Sequence, residues 1–176
     1  MVTLAFYNLK GGVGKTAASV NFAYLAAKEG YKTLLWDLDP QGSSSFYFGA
    51  TAQTKNEAKK ILSNELDIAD AIQATSYDNL DVIAADMSAR QADILLNEMK
   101  QSKKKIASIL STVKKEYDIV VLDCPPGISV LHDAVFAGAD WILMPNIPTT
   151  LSIRSYESVV QYFKEHDGDI SKLKCF

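Results

Sequence analysis

Two lysines five residues apart, Lys10 and Lys15, bracket three glycines in the stretch Asn8-Leu9-Lys10-Gly11-Gly12-Val13-Gly14-Lys15-Thr16. Gly14-Lys15-Thr16 is the ending of a loop whose backbone amides surround phosphate oxygens. Its lysine reaches the β- and γ-phosphates and its hydroxyl ligates Mg²⁺. The common form of that loop has glycine where this chain has Leu9, and it has no counterpart of Lys10. One lysine suffices for a nucleotide's phosphates, so the second needs a role of its own.

Two acidic segments supply what such a loop requires next. In Leu34-Leu35-Trp36-Asp37-Leu38-Asp39-Pro40-Gln41-Gly42 an apolar strand ends in carboxylates spaced i, i+2. Strand alternation would put Asp37 and Asp39 on the same side, where they suit a metal shell and a water to be activated. Asp39 taken alone also reads as a capping residue before the Pro40 turn. In Tyr117-Asp118-Ile119-Val120-Val121-Leu122-Asp123-Cys124-Pro125-Pro126-Gly127 a second apolar strand ends in Asp123, placed to bind Mg²⁺ through a water. The prolines and glycine that follow force an irregular loop near the γ-phosphate.

The elements that must position these residues follow from pattern. Val2 to Tyr7 is a mostly apolar run that reads as a buried strand, and Ala17 to Ala27 is an alanine-rich helix stopped at Gly30. The glycines therefore lie between a strand and a helix N-terminus, where free amides and the helix dipole favour anions. Further on, the pattern predicts strand 32–37, a short helix after Gln41, a helical region over 57–73 and strand 80–85. Helices 88–99 and 103–116, strand 118–123, helix 129–138, strand 140–145, helix 151–165 and a strand from about 172 complete the order. Alternating strands and helices imply an α/β, three-layer P-loop NTPase fold with a mostly parallel central sheet, in one domain over residues 1–176.

Composition narrows the class. The chain has 176 residues, 48% of them hydrophobic, ordinary for a globular domain. It has no apolar run long enough for a membrane helix and no signal peptide, which predicts a cytoplasmic protein. Cys124 and Cys175 are too few and too far apart for a disulfide framework or a metal cluster. A net charge of −3 argues against a chain dominated by nucleic-acid affinity. Lys100, Lys103, Lys104, Lys105, Lys114 and Lys115 nonetheless group around one helical segment whose stripe Ile106, Ile109, Leu110, Val113 and Tyr117 faces the core. A solvated helix face is the favoured account of these lysines, with weak, salt-sensitive DNA contact as the alternative. His132 and His166 lack ligand-spaced partners and read as surface or capping residues. Phe46, Tyr47 and Phe48, which follow the acidic switch, read as packing residues, with a role in coupling nucleotide state to a dimer as the alternative.

Taken in order, Lys10-Gly-Gly-Val-Gly-Lys15-Thr16, Asp37-Leu-Asp39-Pro-Gln-Gly42 and Val121-Leu-Asp123-Cys-Pro-Pro-Gly127 resemble the ParA/MinD family of deviant-Walker ATPases, the ParA (Soj-like) partition ATPases above all. The resemblance extends over Leu80 to Asp86 and Pro148 to Tyr156. It implies an Mg-ATP-binding, slowly hydrolysing ATPase that forms an ATP-dependent sandwich homodimer and positions or partitions DNA or another large cargo with a ParB-like activating partner. Nucleoid association is then expected within the cytoplasm. On this likeness the nucleotide is held by Lys10, Gly11, Gly12, Val13, Gly14, Lys15, Thr16 and Ala17, and Mg²⁺ by Thr16, Asp37 and Asp123. Lys10, Lys15 and Asp39 are the catalytic residues: Lys10 reaches the partner's ATP, Asp39 orients the attacking water, and Gly12 lets the two loops approach. The only arginines, Arg90 and Arg154, lie outside the nucleotide motifs, which leaves the arginine-finger role to a lysine in trans.

Family members continue past the point where this chain stops, at Leu173-Lys174-Cys175-Phe176, so the chain is expected to be a fragment lacking C-terminal strands and helices. Adenine contacts and much of the DNA-binding surface would lie in that part. Two other classes share the loop: a P-loop synthetase or ligase like dethiobiotin synthetase, and a non-hydrolysing nucleotide-gated binding module.

Overall fold

Runs of aliphatic and β-branched residues that are buried on both faces can lie only inside a sheet covered on both sides. The computed structural model describes residues 1–176 and shows that arrangement. In chain order the elements are β1 (Val2–Phe6), α1 (Lys15–Lys28), β2 (Thr33–Asp37), α2 (Ser43–Tyr47), α3 (Glu57–Ser63), α4 (Ile68–Ala71), β3 (Ile72–Ala74) and β4 (Leu80–Ile83). They continue as α5 (Ala92–Asn97), α6 (Lys105–Thr112), β5 (Ile119–Asp123), α7 (Val130–Gly138), β6 (Trp141–Met144), α8 (Thr150–Glu165) and β7 (Leu173–Cys175). The seven strands form one sheet in the order β3-β4-β2-β5-β1-β6-β7. Every pairing is parallel except β3 with β4.

Two cores result, one on each face. Leu4, Phe6, Leu35, Val82 and Val121 pack against Ala23 and Ala27, whose small side chains let α1 lie close to the sheet. On the other face Ala5, Tyr7, Leu34, Trp36, Val120 and Leu122 pack under residues from α3, α5, α6, α7 and α8. The expected stripe of Ile106, Ile109, Leu110, Val113 and Tyr117 is buried there, and the neighbouring Lys103, Lys104, Lys114 and Lys115 are exposed. The expected three-layer α/β fold is thus present, with β1, β2 and β5 delivering their carboxyl ends to one rim.

The region expected to be helical over 57–73 is different. Asn64 adopts a left-handed φ of 63° that ends α3, and Asp67 restarts a short α4 by accepting from the Ala69 amide at 3.0 Å. Ile72 then turns extended and pairs antiparallel with Ile83, making β3 an edge strand. The helix expected over 88–99 likewise divides into a 3₁₀ turn, Met87–Gln91, capped by Asp86, and α5.

Leu122 has no exposed surface and lies in a central strand next to Asp123. Leu122→Ala is expected to lower unfolding stability by about 3 kcal/mol, as buried leucine truncations do. Urea denaturation of the two proteins measures it.

Candidate functional site

The turn from β1 into α1 leaves a run of amides with nothing to bond. Gly14 takes a left-handed φ of 91° as the helix N-cap and offers no side chain to cap it. The first intrahelical amide contact is Ala18 to the Gly14 carbonyl, at 2.9 Å. No amide from Gly11 to Ala17 donates to any group of the chain. Together with the positive end of the helix dipole these N–H groups form an anion site. A cavity of about 380 Å³ opens on it, lined by Gly11, Gly12, Gly14, Lys15, Thr16, Ala17, Asp39 and Pro126.

Lys15 is only 7% exposed and its ammonium donates to the Lys10 carbonyl at 3.0 Å. Burial pulls its pKa down, and the neighbouring carboxylates Asp123 and Asp39 oppose that pull. A cation held back by a single carbonyl is ready to exchange it for a phosphate oxygen. Lys10 itself is half-buried at the mouth of the loop, its amide accepted by the Asn8 side chain at 3.0 Å.

Asp37 and Asp123 are register partners at the ends of β2 and β5, and both are buried. Asp37 is satisfied: Ser45 donates to its Oδ2 through its hydroxyl at 2.6 Å and its amide at 2.8 Å. Burial still raises its pKa, and those hydrogen bonds work against the rise. Asp123 has no hydrogen-bond partner at either oxygen, and neither has the buried Ser44 hydroxyl. Burial, reinforced by Asp37, pushes the Asp123 pKa up to about 6, while the hydroxyls of Thr16, Ser44 and Ser19 face it and lower it somewhat. A buried carboxylate without a partner, ringed by hydroxyls, fits a hard divalent cation with its waters.

Asp39 lies elsewhere from its expected position. The strand ends at Asp37, so alternation does not carry on to Asp39. Asp39 sits in the following turn, half-buried at the cavity, and accepts from the Gln41 amide at 2.9 Å. It thus does cap the Pro40 turn and also faces the phosphate cavity. The structure brings Gly11, Gly12, Gly14, Lys15, Thr16, Ala17 and Asp39 to one cleft, which Lys10 and Val13 do not line, while Asp37 and Asp123 are buried at the ends of the adjacent strands β2 and β5. Gly12 adopts a φ of 74° and an added Cβ would meet nothing within 4 Å, so its requirement inside this chain is conformational.

Several residues gain a place the sequence did not indicate. His132, expected at the surface, is 1% exposed and bonds the Pro125 carbonyl at 3.0 Å. Asn8 is buried and joins the loop to two other elements: it donates to the Pro145 carbonyl at 3.0 Å and accepts from Ser155 of α8 at 3.2 Å. Phe46 and Tyr47, expected to pack, are 83% and 64% exposed on α2, while Phe48 packs inward. Only the adjacency of Tyr7 and Asn8 to the loop hinted at these contacts.

A mostly parallel sheet, a glycine turn with free amides at a helix N-terminus, an inward lysine and two strand-end carboxylates define a P-loop NTPase fold. Residues 1–173 match the AAA domain family AAA_31, so the chain belongs to that family, and within it to the ParA/MinD type of P-loop ATPase. It is 36% identical over 143 residues to the sporulation initiation inhibitor protein Soj of Bacillus subtilis, which takes in 81% of this chain and 56% of Soj. To the chromosome partitioning protein ParA of Caulobacter vibrioides it is 33% identical over 145 residues, 81% of this chain and 54% of that protein. The chain spans about half the length of these curated relatives.

Among solved structures, a plasmid partition protein from Borrelia burgdorferi superposes with a TM-score of 0.87 at 24% identity, covering 99% of this chain and 77% of that one. An ATP complex of McdA from Cyanothece gives 0.85 at 23%, covering 94% and 65%. Cobyrinic acid a,c-diamide synthase from Mycobacterium smegmatis, bound to ADP and magnesium, gives 0.86 at 24%, covering 99% and 72%. These three likenesses show the fold.

The folded pKa of Asp123, about 6, lies above its ordinary 3.8. Between these values the native state binds more protons than the unfolded chain, so this carboxylate removes stability as pH rises through the window, by about 3 kcal/mol. Metal- and nucleotide-free Asp123→Asn protein is therefore expected to be the more stable of the pair at pH ~7.5 and to lose that advantage near pH ~4. Urea midpoints of both proteins across this range decide it.

Proposed function

We propose that this chain binds Mg-ATP in the loop from Lys10 to Ala17 and works as a ParA-type ATPase. The observation that carries the reading is the run of unbonded amides from Gly11 to Ala17 beside the buried Lys15. Thr16, Asp37 and Asp123 would hold the magnesium ion, which supplies charge neutralisation at the β- and γ-phosphates. Asp123 would act through a bound water, since its oxygens are free. Asp37 is engaged by Ser45 and would tune the site from behind. Asp39, at the cavity wall, would orient the water that attacks the γ-phosphate.

Lys10 gives the reading its dimeric form. Its ammonium is not needed by its own loop, where Lys15 already serves the phosphates. Delivered to a second copy, it would stabilise the charge that develops there, with Gly11 and Gly12 offering no side chain to obstruct approach. Family membership and likeness to Soj support an ATP-dependent homodimer in the cytoplasm, on the nucleoid, that positions DNA or another large cargo with a ParB-like activator. No helix of the chain is long and apolar enough to cross a membrane. The synthetase reading has the fold likeness to cobyrinic acid a,c-diamide synthase behind it, at 24% identity, whereas the partition relatives exceed 30%.

Lys10→Ala and Lys15→Ala separate the two lysines. Lys15→Ala is expected to weaken ATP binding by about 100-fold or more, through loss of a charge-assisted contact in a buried site. Lys10→Ala should bind ATP within about three-fold of the parent yet stay monomeric and turn over at least about ten-fold more slowly. Light scattering with ATP and a phosphate-release assay give the readouts. A Lys10→Ala protein that dimerises and turns over like the parent would overturn the trans-lysine mechanism, and turnover seen only with a small-molecule co-substrate would favour the synthetase.

A further inference from the structure

The turn Pro125-Pro126-Gly127 has few backbone groups to spend, because two of its residues lack an N–H. Three of those it has are taken by the protein. His132 Nε2 lies 3.0 Å from the Pro125 carbonyl, the Tyr7 hydroxyl donates to the Gly127 carbonyl at 2.9 Å, and the Gly127 amide donates to the Leu9 carbonyl at 3.2 Å. Pro126, between these anchors, lines the phosphate cavity.

His132 belongs to none of the nucleotide motifs. A carbonyl can only accept, so Nε2 carries the ring's proton, and Nδ1 accepts from the Ser129 hydroxyl at 2.9 Å. The ring is 1% exposed, packed 5.1 Å from the Tyr7 ring and 6.0 Å from that of Phe136. Burial keeps its pKa below the usual value. Asp93 of α5 and Asp133 of α7 itself oppose this, and Lys15 adds to it. The helix that carries the ring is itself tied on two sides. Asp93 accepts from the Leu131 amide at 2.9 Å, and Tyr162 of α8 donates to Asp133 at 2.6 Å.

We propose that His132 is a positioning residue of the nucleotide site: its Nε2–H holds the Pro125 carbonyl so that the turn closes on the phosphates, and it passes displacement of that turn to α7. The proposal rests on the ATPase reading for its catalytic consequence and on hydrogen-bond geometry for the clamp itself, so the two can fail separately. A ring present only to fill the core would be replaceable by phenylalanine.

His132→Phe keeps an aromatic ring and removes both hydrogen bonds, whereas His132→Gln keeps a donor and removes the ring. In nucleotide-free protein, exchange of the Gly127 amide is expected to quicken about five-fold or more in the Phe variant and to return most of the way in the Gln variant. With ATP, kcat should fall in the Phe variant while KM stays within about two-fold, because the amide cradle is intact, and Gln should restore it. Wild-type exchange at Gly127 in the Phe variant overturns the proposal, as does a kcat loss that Gln does not recover at equal thermal stability. Nitrogen NMR of the unmutated protein needs no variant to fold: a proton on Nε2 and none on Nδ1 supports the clamp, and the reverse tautomer overturns it. If the parent protein hydrolyses no ATP, the ATPase reading falls and the exchange and tautomer measurements alone decide the clamp.

Discussion

Asp37 and Asp123 face each other across adjacent parallel strands, both withdrawn from water. Burial raises the pKa of both, and the charge of Asp37 raises that of Asp123 further. The fold relieves one of them. Ser45 directs an amide and a hydroxyl at Asp37, and the same hydroxyl accepts from the Ala85 amide at 2.9 Å, so relieving Asp37 also fixes α2 against the end of β4. Asp123 is given no equivalent. Asp37 is therefore satisfied within the protein, and Asp123 is left as a buried carboxylate without a donor. Lys15, the nearest cationic side chain, is turned onto the Lys10 carbonyl.

The glycine loop presents the complementary shortage. Its amides from Gly11 to Ala17 lack acceptors as Asp123 lacks donors. Unpaired backbone groups are tolerated here because they line a cavity open to solvent, whereas Asp123 is closed off and shifts its pKa instead. Free donors line the cavity, and an acceptor without a partner is buried close by, a combination that an anion with a hard cation attached would complement.

This much was legible in the sequence because the chemistry demands particular residues at short range. Glycines that reach left-handed angles, a lysine at the first helical position and aspartates at strand ends stand out in Gly14-Lys15-Thr16, Asp37 and Asp123. The strands were legible because two-sided burial leaves only apolar runs. What escaped was non-local or very short. β3 has three residues and forms only because Ile72 finds Ile83 across the edge, a pairing that no local pattern announces. Asp39 lies beyond the strand, which ends at Asp37, because the chain turns at Pro40 into the helix that starts after Gly42. His132 looked like a surface residue because its partners, Tyr7 and Pro125, are distant or featureless in the chain.

Neighbouring residues at the end of β1 divide the site's mechanical connections between them. Tyr7 directs its hydroxyl to Gly127 and its ring to His132 and Phe136, toward α7. Asn8 accepts from the Lys10 amide and from Ser155, and donates to Pro145 and, at 3.2 Å, to Asn146, toward α8 and the end of β6. Both side chains are buried, so each hydrogen bond has a defined partner and an appreciable cost of being broken. Any displacement of the glycine loop would strain these contacts or carry the helices along. Asn8 has a directional bond to α8 through Ser155, whereas Tyr7 reaches α7 through ring packing on His132 and Phe136, and α7 and α8 are themselves joined by Tyr162 and Asp133. The glycine loop is in this sense tied by side-chain contacts to the helices of one face, while α1, on the opposite face, continues directly from the loop.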